Sequence, residues 1–476
     1  MADGDACGSS GPLASRACIY KKFRRSHDLF NCEITADHVS RAPAPRRHMA
    51  SLQARIAELA RHPATAISLR DLYKAGNKPS RSMRLQNAIF LQRELPIRMA
   101  QRIVELQTLP FGLNHSPHIL KVIGWYSSFV DTITSMPRVS SVDDEDRFTS
   151  TIDAQLQTPS LVTAMLSAAV SQSAASINDP STDSRRQPAT RTQRVDFMQK
   201  ALDRFFTARI GLRFLMEHHV RISRVQEENW SGIIQANFNP ADVVRHAAED
   251  ARHLCEDEYG IAPEVEVRMA DVEDEPSATR NNRLTYVPSH MHYICTELLK
   301  NAMRATTTRH RRAPGHNLPP IVVTIAFGKD TLGVRISDEG GGIALAETNR
   351  VWRYAYTTAP VPLIELDGSA DAPPQTLRRS ALAGYGMGLP LSRLYSQYLG
   401  GRLDLRSLEG HGTDCFLHLP RLGAACETLP AVVRASPAER DSTPGPGGLS
   451  SYSMKAELSE YEYAVLSEKL AEIRHD

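Results

Sequence analysis

Residues 289–306 have the sequence Ser-His-Met-His-Tyr-Ile-Cys-Thr-Glu-Leu-Leu-Lys-Asn-Ala-Met-Arg-Ala-Thr, with neither glycine nor proline among them. Because the segment directly follows Val287-Pro288, we predict a helix that begins with Ser289 as its N-cap. Apolar side chains recur at spacings of three and four residues, which predicts that one face of this helix packs on a core. The residues of that face are Met291, Ile294, Leu298, Ala302 and Ala305.

A polar stripe lies beside that apolar face. Glu297, Asn301 and Arg304 are at positions i, i+4 and i+7, so a carboxylate, an amide and a guanidinium share one side of the helix. Carboxylate and amide oxygens suit a hydrated Mg²⁺ ion, which prefers a few oxygen ligands and keeps its waters. Ordinary surface helices carry similar charge patterns, so this segment alone leaves both interpretations open.

A glycine turn follows a predicted strand further along the chain. Residues 334–343 have the sequence Val-Arg-Ile-Ser-Asp-Glu-Gly-Gly-Gly-Ile, in which the strand ends at Asp338. An aspartate at a strand end can turn its carboxylate toward an exocyclic amine, while the glycines let the backbone approach a flat ring. The pattern therefore predicts a site for a flat, amine-bearing ring beside Asp338.

A second glycine-rich loop lies at residues 384–392, Gly-Tyr-Gly-Met-Gly-Leu-Pro-Leu-Ser, and leads into an apolar helical segment. Backbone N–H groups at the start of a helix are free to bind phosphate oxygens. Alone, this loop would also fit a dinucleotide-binding turn. However, it does not follow an early strand of a βαβ unit, and no acidic residue follows it at the usual distance.

The order of these motifs resembles that of the GHKL ATPase superfamily. Its N box is similar to Glu297-x-x-x-Asn301, its G1 box to Asp338-x-Gly340-x-Gly342 and its G2 box to Gly384-x-Gly386-x-Gly388. Its closing Gly-Thr element is similar to Gly412-Thr413, at the start of a predicted strand. Four matching boxes in the right order are a far more specific signal than any one of them.

The residues inside and between the boxes resemble the mitochondrial protein kinases that phosphorylate 2-oxoacid dehydrogenase complexes. The similar segments include residues 297–306, 356–359, 389–395 and 398–401. Some segments look more like the branched-chain enzyme and others more like the pyruvate enzymes, so the sequence does not separate these two branches. Bacterial sensor histidine kinases share the boxes but not these surrounding residues.

The resemblance implies an ATP-dependent protein serine kinase that phosphorylates and inactivates the E1 subunit of a mitochondrial 2-oxoacid dehydrogenase complex. It implies ATP and Mg²⁺ as cofactors, with K⁺ as a further candidate. The implied partners are the E1 subunit, the lipoyl domain of the E2 core and a second copy of the chain, and the implied location is the mitochondrial matrix.

The resemblance also implies roles for individual residues. Glu297 would be the general base and Lys300 would tune its charge, while Asn301 would hold Mg²⁺. Asp338 would bind the adenine amino group with help from Thr413. The remaining residues implied to bind the nucleotide are Arg304, Gly340, Gly342, Thr357, Thr358, Gly384, Tyr385, Gly386, Met387, Gly388 and Leu389.

The periodicity between Ile67 and Arg224 is helical and predicts a four-helix bundle. The predicted helices are centred on residues 90–104 with a kink at Pro96, 119–133, 148–173 and 195–220, and residues 176–192 are a predicted mobile loop. The resemblance implies a 2-oxoacid-type regulatory ligand inside this bundle, near Tyr126. Arg209 and Arg213 lie four residues apart and could hold its carboxylate, or they could be solvated or interdomain arginines.

The predicted fold is an α-helical bundle followed by an α/β sandwich, a mixed sheet with helices on one face. We divide the chain into a disordered or targeting segment (1–60), a regulatory or substrate bundle (61–228), an ATP-binding kinase domain (229–424), and a linker with a C-terminal helix (425–476). Residues 358–383, rich in proline, would form a flexible ATP lid.

The composition excludes several other classes of protein. Fifty-six basic residues against 54 acidic ones predict no nucleic-acid partner, and no apolar run is long enough to span a bilayer. Seven scattered cysteines without a Cys-x-x-Cys pair argue against a disulfide framework or a zinc site. The histidine pairs of the sequence, including His218-His219, are interpreted as structural or surface residues.

Two alternatives to a protein serine kinase stay open. A histidine autokinase needs an exposed histidine followed by an acidic residue, whereas His218-His219 is followed by Val220-Arg221. A nucleotide-binding regulatory protein with impaired turnover is the other. Residues 157–160 lack the histidine that the kinase family carries there, and the C-terminal tail lacks the Asp-Trp pair of pyruvate-type members, which supports this alternative. The intact Glu297 and Asn301 argue against it.

Overall fold

The N-terminal part of the protein is helical. The computed structural model describes residues 46–110, 112–157, 161–178, 191–224, 227–270, 283–311, 318–328, 330–358, 364–365, 375–376, 386–421 and 427–430. Its first helices are α1 (Arg46–Leu59), α2 (Leu69–Gly76), α3 (Arg81–Gln107), α4 (Pro117–Ser135), α5 (Val142–Gln157), α6 (Val162–Asn178) and α7 (Arg191–Ser223).

Helix α3 is the centre of this helical layer. It begins after Ser80, whose hydroxyl accepts the Met83 N–H at 3.2 Å, and it continues through Pro96 to Gln107. Many of its apolar side chains are buried in the core, and Leu95 and Ile103 are among the largest that are fully buried. Packing of this kind, rather than intrinsic helix propensity, supplies most of the stability of a bundle.

The prediction of one helix over residues 148–173 was wrong, because the structure contains α5 and α6 there. Pro159 lies in the short interval between them. A proline cannot donate the helical hydrogen bond, and it disfavours the helical conformation of the residue before it. The histidine of the kinase family is missing at residues 157–160, and residues 158–160 lie outside the described residues.

Two segments predicted to lack regular structure contain parts of helices. Helix α1 lies at the end of the segment assigned to disorder or targeting, and Ile56 on it is buried in the core of the bundle. Helix α6 extends to Asn178 and α7 begins at Arg191, so both reach into the predicted loop of residues 176–192. Residues 179–190 lie outside the described part.

Among the described residues, the second part of the chain is built on strands with three α-helices. The strands are β1 (Trp230–Ser231), β2 (Ile234–Phe238), β3 (Val265–Met269), β4 (Leu284–Tyr286), β5 (Ile321–Phe327), β6 (Thr331–Asp338), β7 (Ile364–Glu365), β8 (Gln375–Thr376), β9 (Arg402–Leu408) and β10 (Gly412–Pro420). The helices are α8 (Pro240–Tyr259), α9 (Pro288–His310) and α10 (Gly388–Tyr398).

The main sheet is mixed, as predicted. Among the described residues it has the strand order β3-β5-β6-β10-β9, in which β3 and β5 are parallel and the other neighbours are antiparallel. Helix α8 contacts β3, α9 contacts β6, and α10 contacts β9 and β10. The predicted fold class, a helical region followed by an α/β sandwich, is confirmed.

A small second sheet, in which β2 lies between β1 and β4, was not predicted from the sequence. Strands β1 and β4 have only two and three residues, too few for a clear alternating pattern. Between the predicted ends of the ATP lid, β7 and β8 pair as an antiparallel ribbon. The other residues from 359 to 385 lie outside the described ones.

The ends of the helices follow their cap residues. Helix α8 begins after Asn239, whose side chain accepts the Ala241 N–H at 3.2 Å, and it ends at Gly260 with a φ of +74°. Helix α9 begins at Pro288, so the predicted N-cap at Ser289 was wrong. Proline suits the first helical position because its fixed φ is already helical and its missing N–H would have no partner there.

Residues 427–430, here called the tail clasp, connect the two parts of the molecule. Glu427 is buried and accepts hydrogen bonds from Arg98 on α3 at 2.6 and 3.0 Å, and from the hydroxyl of Tyr398 on α10. Its N–H donates to the carbonyl of Ile67 at 2.9 Å, and the Thr428 N–H donates to the carbonyl of Tyr398 at 3.0 Å. The predicted linker from residue 425 therefore starts with a docked segment.

The buried charges at the tail clasp form one cluster of a guanidinium and two carboxylates. Arg98 also donates to Glu94 at 2.9 Å, so one guanidinium is held between two carboxylates. These hydrogen bonds to Glu427 and Glu94 favour the charged form of Arg98 against the effect of burial, and its pKa is raised. The predicted C-terminal helix at residues 454–473 lies outside the described part.

Within the described residues, no helix combines the length and the apolar character that crossing a bilayer requires.

Candidate active site

Helix α9 carries the predicted polar stripe. Its apolar side is buried at Met291, Ile294 and Leu298. Glu297 lies on another side of the helix, where its side chain is 17 % exposed. Lys300 donates from Nζ to Oε1 of Glu297 at 2.9 Å. The helix therefore presents a partly shielded carboxylate with a neighbouring positive charge.

Asn301 and Arg304 follow Glu297 along the same helix and are partly exposed. Arg304 donates from Nη2 to the hydroxyl of Thr358 at 3.2 Å, and this contact links the helix to the start of the predicted lid. Thr357 precedes Thr358 in the same segment. The structure thus brings together Arg304 and Thr358, two of the residues that the resemblance implies for the nucleotide site.

The second glycine loop approaches Glu297 directly. A methyl group added to Gly388 would lie 2.3 Å from Oε2 of Glu297, far inside van der Waals contact. Gly388 is the first residue of α10, so the N–H groups at the start of that helix lie beside the carboxylate. Met387 is buried before it and Leu389 is partly buried after it.

Gly386 holds the same loop close to another backbone segment. Its φ is +69°, a left-handed conformation that favours glycine. A methyl group here would lie 2.7 Å from the carbonyl oxygen and 2.8 Å from the nitrogen of Tyr356. The loop therefore depends on residues 355–356 for its position. Gly384 and Tyr385, also predicted to bind the nucleotide, lie outside the described residues.

Asp338 is the last residue of β6 and lies opposite Thr413 of β10. Its Oδ1 accepts the N–H of Gly340 at 2.8 Å, which holds the carboxyl group over the glycine turn. Burial raises the pKa of Asp338 to about 6, against the opposing effect of hydrogen bonds from the backbone of Gly340 and Thr413. The environment is therefore poorly hydrated, as a recessed binding site for a flat ring would be.

The glycines of the first turn have steric roles. A methyl group on Gly340 would lie 2.4 Å from the Cβ of Ala305 on α9, and one on Gly342 would lie 2.1 Å from the carbonyl oxygen of Leu408. Both positions exclude a side chain, because the turn passes between α9 and the hairpin formed by β9 and β10. These contacts bring Asp338, Thr413 and the polar stripe of α9 to one side of the sheet.

Ser407 was missed by the sequence analysis. Its hydroxyl accepts the Ile343 N–H at 2.7 Å and lies 3.2 Å from the carbonyl oxygen of Gly412 and 3.0 Å from the hydroxyl of Thr413. It therefore connects the first glycine turn to the Gly-Thr element. A single serine in an alternating strand carries no signal that would have revealed this role.

The residues predicted to hold a regulatory ligand divide into two groups. Arg209 donates to the hydroxyl of Tyr126 at 3.0 Å, so these two side chains meet inside the bundle. Arg213 instead pairs with Glu217 at 2.7 Å on its own helix. The structure therefore brings Arg209 to Tyr126, while Arg213 contacts a carboxylate of the chain itself.

The histidines fit the structural interpretation. His218 and His219 on α7 and His290 on α9 are buried, and burial lowers the pKa of His218 to about 3, of His219 to about 4 and of His290 to about 3. Groups of three or more His, Cys, Asp or Glu side chains that could hold a metal are absent from the described part of the chain.

Comparisons with known proteins agree with both halves of this structure. Residues 66–235 match the family model described as mitochondrial branched-chain alpha-ketoacid dehydrogenase kinase. Residues 286–423 match the model described as histidine kinase-, DNA gyrase B- and HSP90-like ATPase. The second match includes Glu297, Asn301, Asp338 and Thr413.

The similar curated proteins are kinases that carry the name [pyruvate dehydrogenase (acetyl-transferring)] kinase, mitochondrial. The one from Arabidopsis thaliana is 39 % identical over 369 residues, which cover 77 % of this chain and 93 % of that protein. The human isozyme 4 is 34 % identical over 72 % of this chain and 78 % of its own. The chain belongs to the family of mitochondrial 2-oxoacid dehydrogenase kinases, within the superfamily of histidine kinase-, DNA gyrase B- and HSP90-like ATPases.

Proposed function

We propose that this protein transfers the γ-phosphoryl group of ATP to a serine of the E1 subunit of a mitochondrial 2-oxoacid dehydrogenase complex, and so inactivates that enzyme. As a member of its family the protein is an ATP-dependent protein kinase. The observation that carries the proposal is the approach of Glu297 to Gly388. A carboxylate able to accept a proton lies directly beside a helix N-terminus able to bind phosphate.

Asp338 would bind the adenine ring. Its carboxyl group lies at the end of β6 beside Thr413, above a turn that excludes side chains. The ionised carboxylate would accept a hydrogen bond from the exocyclic amine, and Gly340 and Gly342 would leave room for the flat ring. The phosphates would extend toward the start of α10, where Gly386, Met387, Gly388 and Leu389 offer backbone N–H groups and Arg304 offers positive charge.

Asn301 would hold Mg²⁺ through its side-chain oxygen. A protein that supplies a single amide ligand fits this ion, because Mg²⁺ keeps several waters and takes its other ligands from phosphate oxygens. The bound ion would neutralise charge on the phosphates. K⁺ is a further candidate cofactor, for which the described residues single out no ligand.

Glu297 would accept the proton of the acceptor serine as its oxygen attacks the phosphoryl group. Lys300, whose Nζ lies 2.9 Å from Oε1, would place a positive charge beside the carboxylate and fix its direction. Most of the acceleration would come from positioning and charge stabilisation, as in other phosphoryl transfers. Because His218 and His219 are buried, neither presents a phosphoacceptor nitrogen, and the histidine autokinase alternative loses its candidates.

The two parts of the chain would have different functions. Residues 61–228 would form a regulatory and substrate-recognition domain, in which Tyr126, Arg209 and Arg213 would respond to a 2-oxoacid-type ligand. Residues 229–424 would form the kinase domain. The E1 subunit, the lipoyl domain of the E2 core and a second copy of the chain are the proposed partners, and the mitochondrial matrix is the proposed location.

Incorporation of labelled phosphate from γ-labelled ATP tests the function. Purified pyruvate and branched-chain E1 heterotetramers are incubated side by side with the wild type and with Asn301→Ala. We expect phosphoserine on one of the two E1 proteins with the wild type, and a loss of turnover of at least about 100-fold with Asn301→Ala, because the ion loses its protein ligand.

The same experiment distinguishes the alternatives. Tight binding of Mg-ATP without label on either E1 would support a nucleotide-binding regulatory protein instead of a kinase. Acid-labile label on the protein itself would support histidine autophosphorylation. Comparing the two E1 proteins also decides between the pyruvate and branched-chain branches, which the sequence leaves open.

A further inference from the structure

Tyr354 lies at an unusual junction between the two parts of the molecule. It belongs to residues 350–358, here called the lid stem, which lead from the main sheet into the predicted ATP lid. Its side chain is only 4 % exposed, although the stem otherwise lies near the surface. Its hydroxyl donates to Oδ1 of Asp203 at 2.6 Å, and its N–H donates to Oε1 of Gln199 at 2.9 Å.

Every one of these partners comes from α7 of the bundle. The ring of Tyr354 also stacks on Phe206, with 5.4 Å between the ring centroids. Gln199, Asp203 and Phe206 are at positions i, i+4 and i+7 and therefore form one stripe on the helix. A stripe with an amide, a carboxylate and an aromatic ring holds the backbone, the hydroxyl and the ring of one tyrosine at the same time.

The hydrogen bond to Asp203 joins two shielded groups, and burial raises the pKa of Asp203 as well. Burial and the neighbouring carboxylate raise the pKa of Tyr354 well above its ordinary value, so the hydroxyl keeps its proton and donates it. Nη2 of Arg393 on α10 lies 3.9 Å from Oδ2 of Asp203. The guanidinium carbon of Arg393 lies over the ring of Trp352 in the lid stem, 5.2 Å from the ring centroid. Asp203 thus contacts both the lid stem and the helix of the phosphate loop.

The residues that follow Tyr354 support the phosphate loop. Ala355 has a φ of +58°, a conformation that is unfavourable for a residue with a side chain and must be imposed by its surroundings. The backbone of residues 355–356 is the surface against which Gly386 packs, and Thr358 receives the hydrogen bond from Arg304. The position of Tyr354 therefore determines where the backbone against which Gly386 packs lies, and where Thr358 meets Arg304.

We propose that Tyr354, anchored on Asp203 of the bundle, is a positioning residue that fixes the lid stem against Gly386 and thereby sets the affinity for Mg-ATP. The inference rests on the proposed nucleotide site. It assigns to α7 a direct part in shaping that site. Tyr354 touches neither nucleotide nor serine in this assignment, so it acts on binding and leaves the chemical step unchanged.

Tyr354→Phe tests the anchor with little disturbance, because it keeps the ring on Phe206 and removes only the hydroxyl. We expect the Kd for Mg-ATP, measured by titration calorimetry, to rise about tenfold, the effect of one lost buried hydrogen bond. We expect kcat on E1 at saturating ATP to stay within about twofold. Asp203→Asn should give a similar rise in Kd. The double variant should bind Mg-ATP no more weakly than the weaker-binding single variant, because both changes break the same interaction.

Tyr286→Phe is the matched control. Tyr286 is a buried tyrosine of β4, and its hydroxyl has no hydrogen-bond partner among the described residues, so its loss should leave the Kd unchanged. A wild-type Kd for Tyr354→Phe with a lower melting temperature would overturn the proposal, since the bond would then be merely structural. A fall in kcat with an unchanged Kd would overturn it as well.

This test separates the inference from the proposed function. If the wild type binds Mg-ATP but phosphorylates neither E1, the proposed reaction fails while the Kd comparison still tests the anchor. If the wild type phosphorylates E1 and Tyr354→Phe binds Mg-ATP normally, the anchor fails and the proposed reaction stands.

Discussion

Asp338→Asn is expected to lose at least about 100-fold in affinity for ATP while the unliganded protein becomes more stable. Oδ1 can still accept the Gly340 N–H in this variant, but the amide nitrogen donates where the adenine amine also donates, which replaces an attraction by a repulsion. Asp338→Ala should abolish binding as well, because it removes the acceptor entirely. Titration calorimetry with ATP measures the first effect.

The opposite effect on stability follows from the raised pKa of Asp338. Burial raises that pKa to about 6, so above pH 6 the folded protein bears the cost of a poorly solvated carboxylate that the unfolded chain does not bear. Asparagine cannot ionise, so we expect it to raise the free energy of unfolding at pH 7.5 by roughly 1 kcal/mol, with a smaller gain below pH 6. Urea unfolding at the two pH values measures this gain.

Glu339→Gln is the control for this pair of measurements, because it changes the neighbouring carboxylate, which is exposed. It should leave both ATP affinity and stability near the wild-type values. Retained ATP affinity in Asp338→Asn and in Asp338→Ala would show that the adenine ring binds elsewhere.

Glu297→Gln is expected to reduce kcat on E1 by about 100-fold to 10,000-fold, the usual contribution of a general base. The amide has the size of the carboxylate and still accepts a hydrogen bond from Lys300, so the contact with Gly388 is kept. The Kd for Mg-ATP should therefore stay within about twofold. Single-turnover phosphorylation of E1 with labelled ATP separates the chemical step from nucleotide binding.

An exposed carboxylate on the neighbouring helix provides the control for Glu297. Glu256 on α8 pairs with Arg252 at the surface, and Glu256→Gln should leave both rate and affinity unchanged. A Glu297→Gln variant that phosphorylates E1 at the wild-type rate would exclude the general-base role. A variant that loses ATP binding together with activity would instead assign Glu297 to the nucleotide site.

The parts of the molecule that the sequence predicts well are those in which one local pattern decides the structure. The spacing of Glu297, Asn301 and Arg304 on an uninterrupted helical segment gave the polar stripe, and the structure shows the glycines beyond Asp338 at positions that exclude side chains. The predicted strand end at Asp338 and the predicted strand start at Gly412-Thr413 coincide with the end of β6 and the start of β10. Such features depend on neighbours in the chain.

The features that were missed depend on contacts between distant residues. Tyr354 and Asp203 are 151 positions apart, and Glu427 and Arg98 are 329 apart, so no local pattern connects them. Ser407 acts only because β9 and β10 bring it beside the first glycine turn. The break between α5 and α6 is a different case, since it is explained by a local signal, the proline at position 159, which the predicted helix of residues 148–173 includes.

The tail clasp has a consequence for how the two parts of the protein are held together. The chain leaves the bundle after α7 and returns to it at Glu427, where that residue contacts Arg98 and the carbonyl of Ile67. The part of the protein that contains the main sheet is therefore attached to the bundle at both of its ends, once through the chain after α7 and once by buried polar contacts. A polypeptide cut between Ser223 and Trp230 should consequently remain a single particle, and the two fragments should reassemble when they are expressed as separate chains.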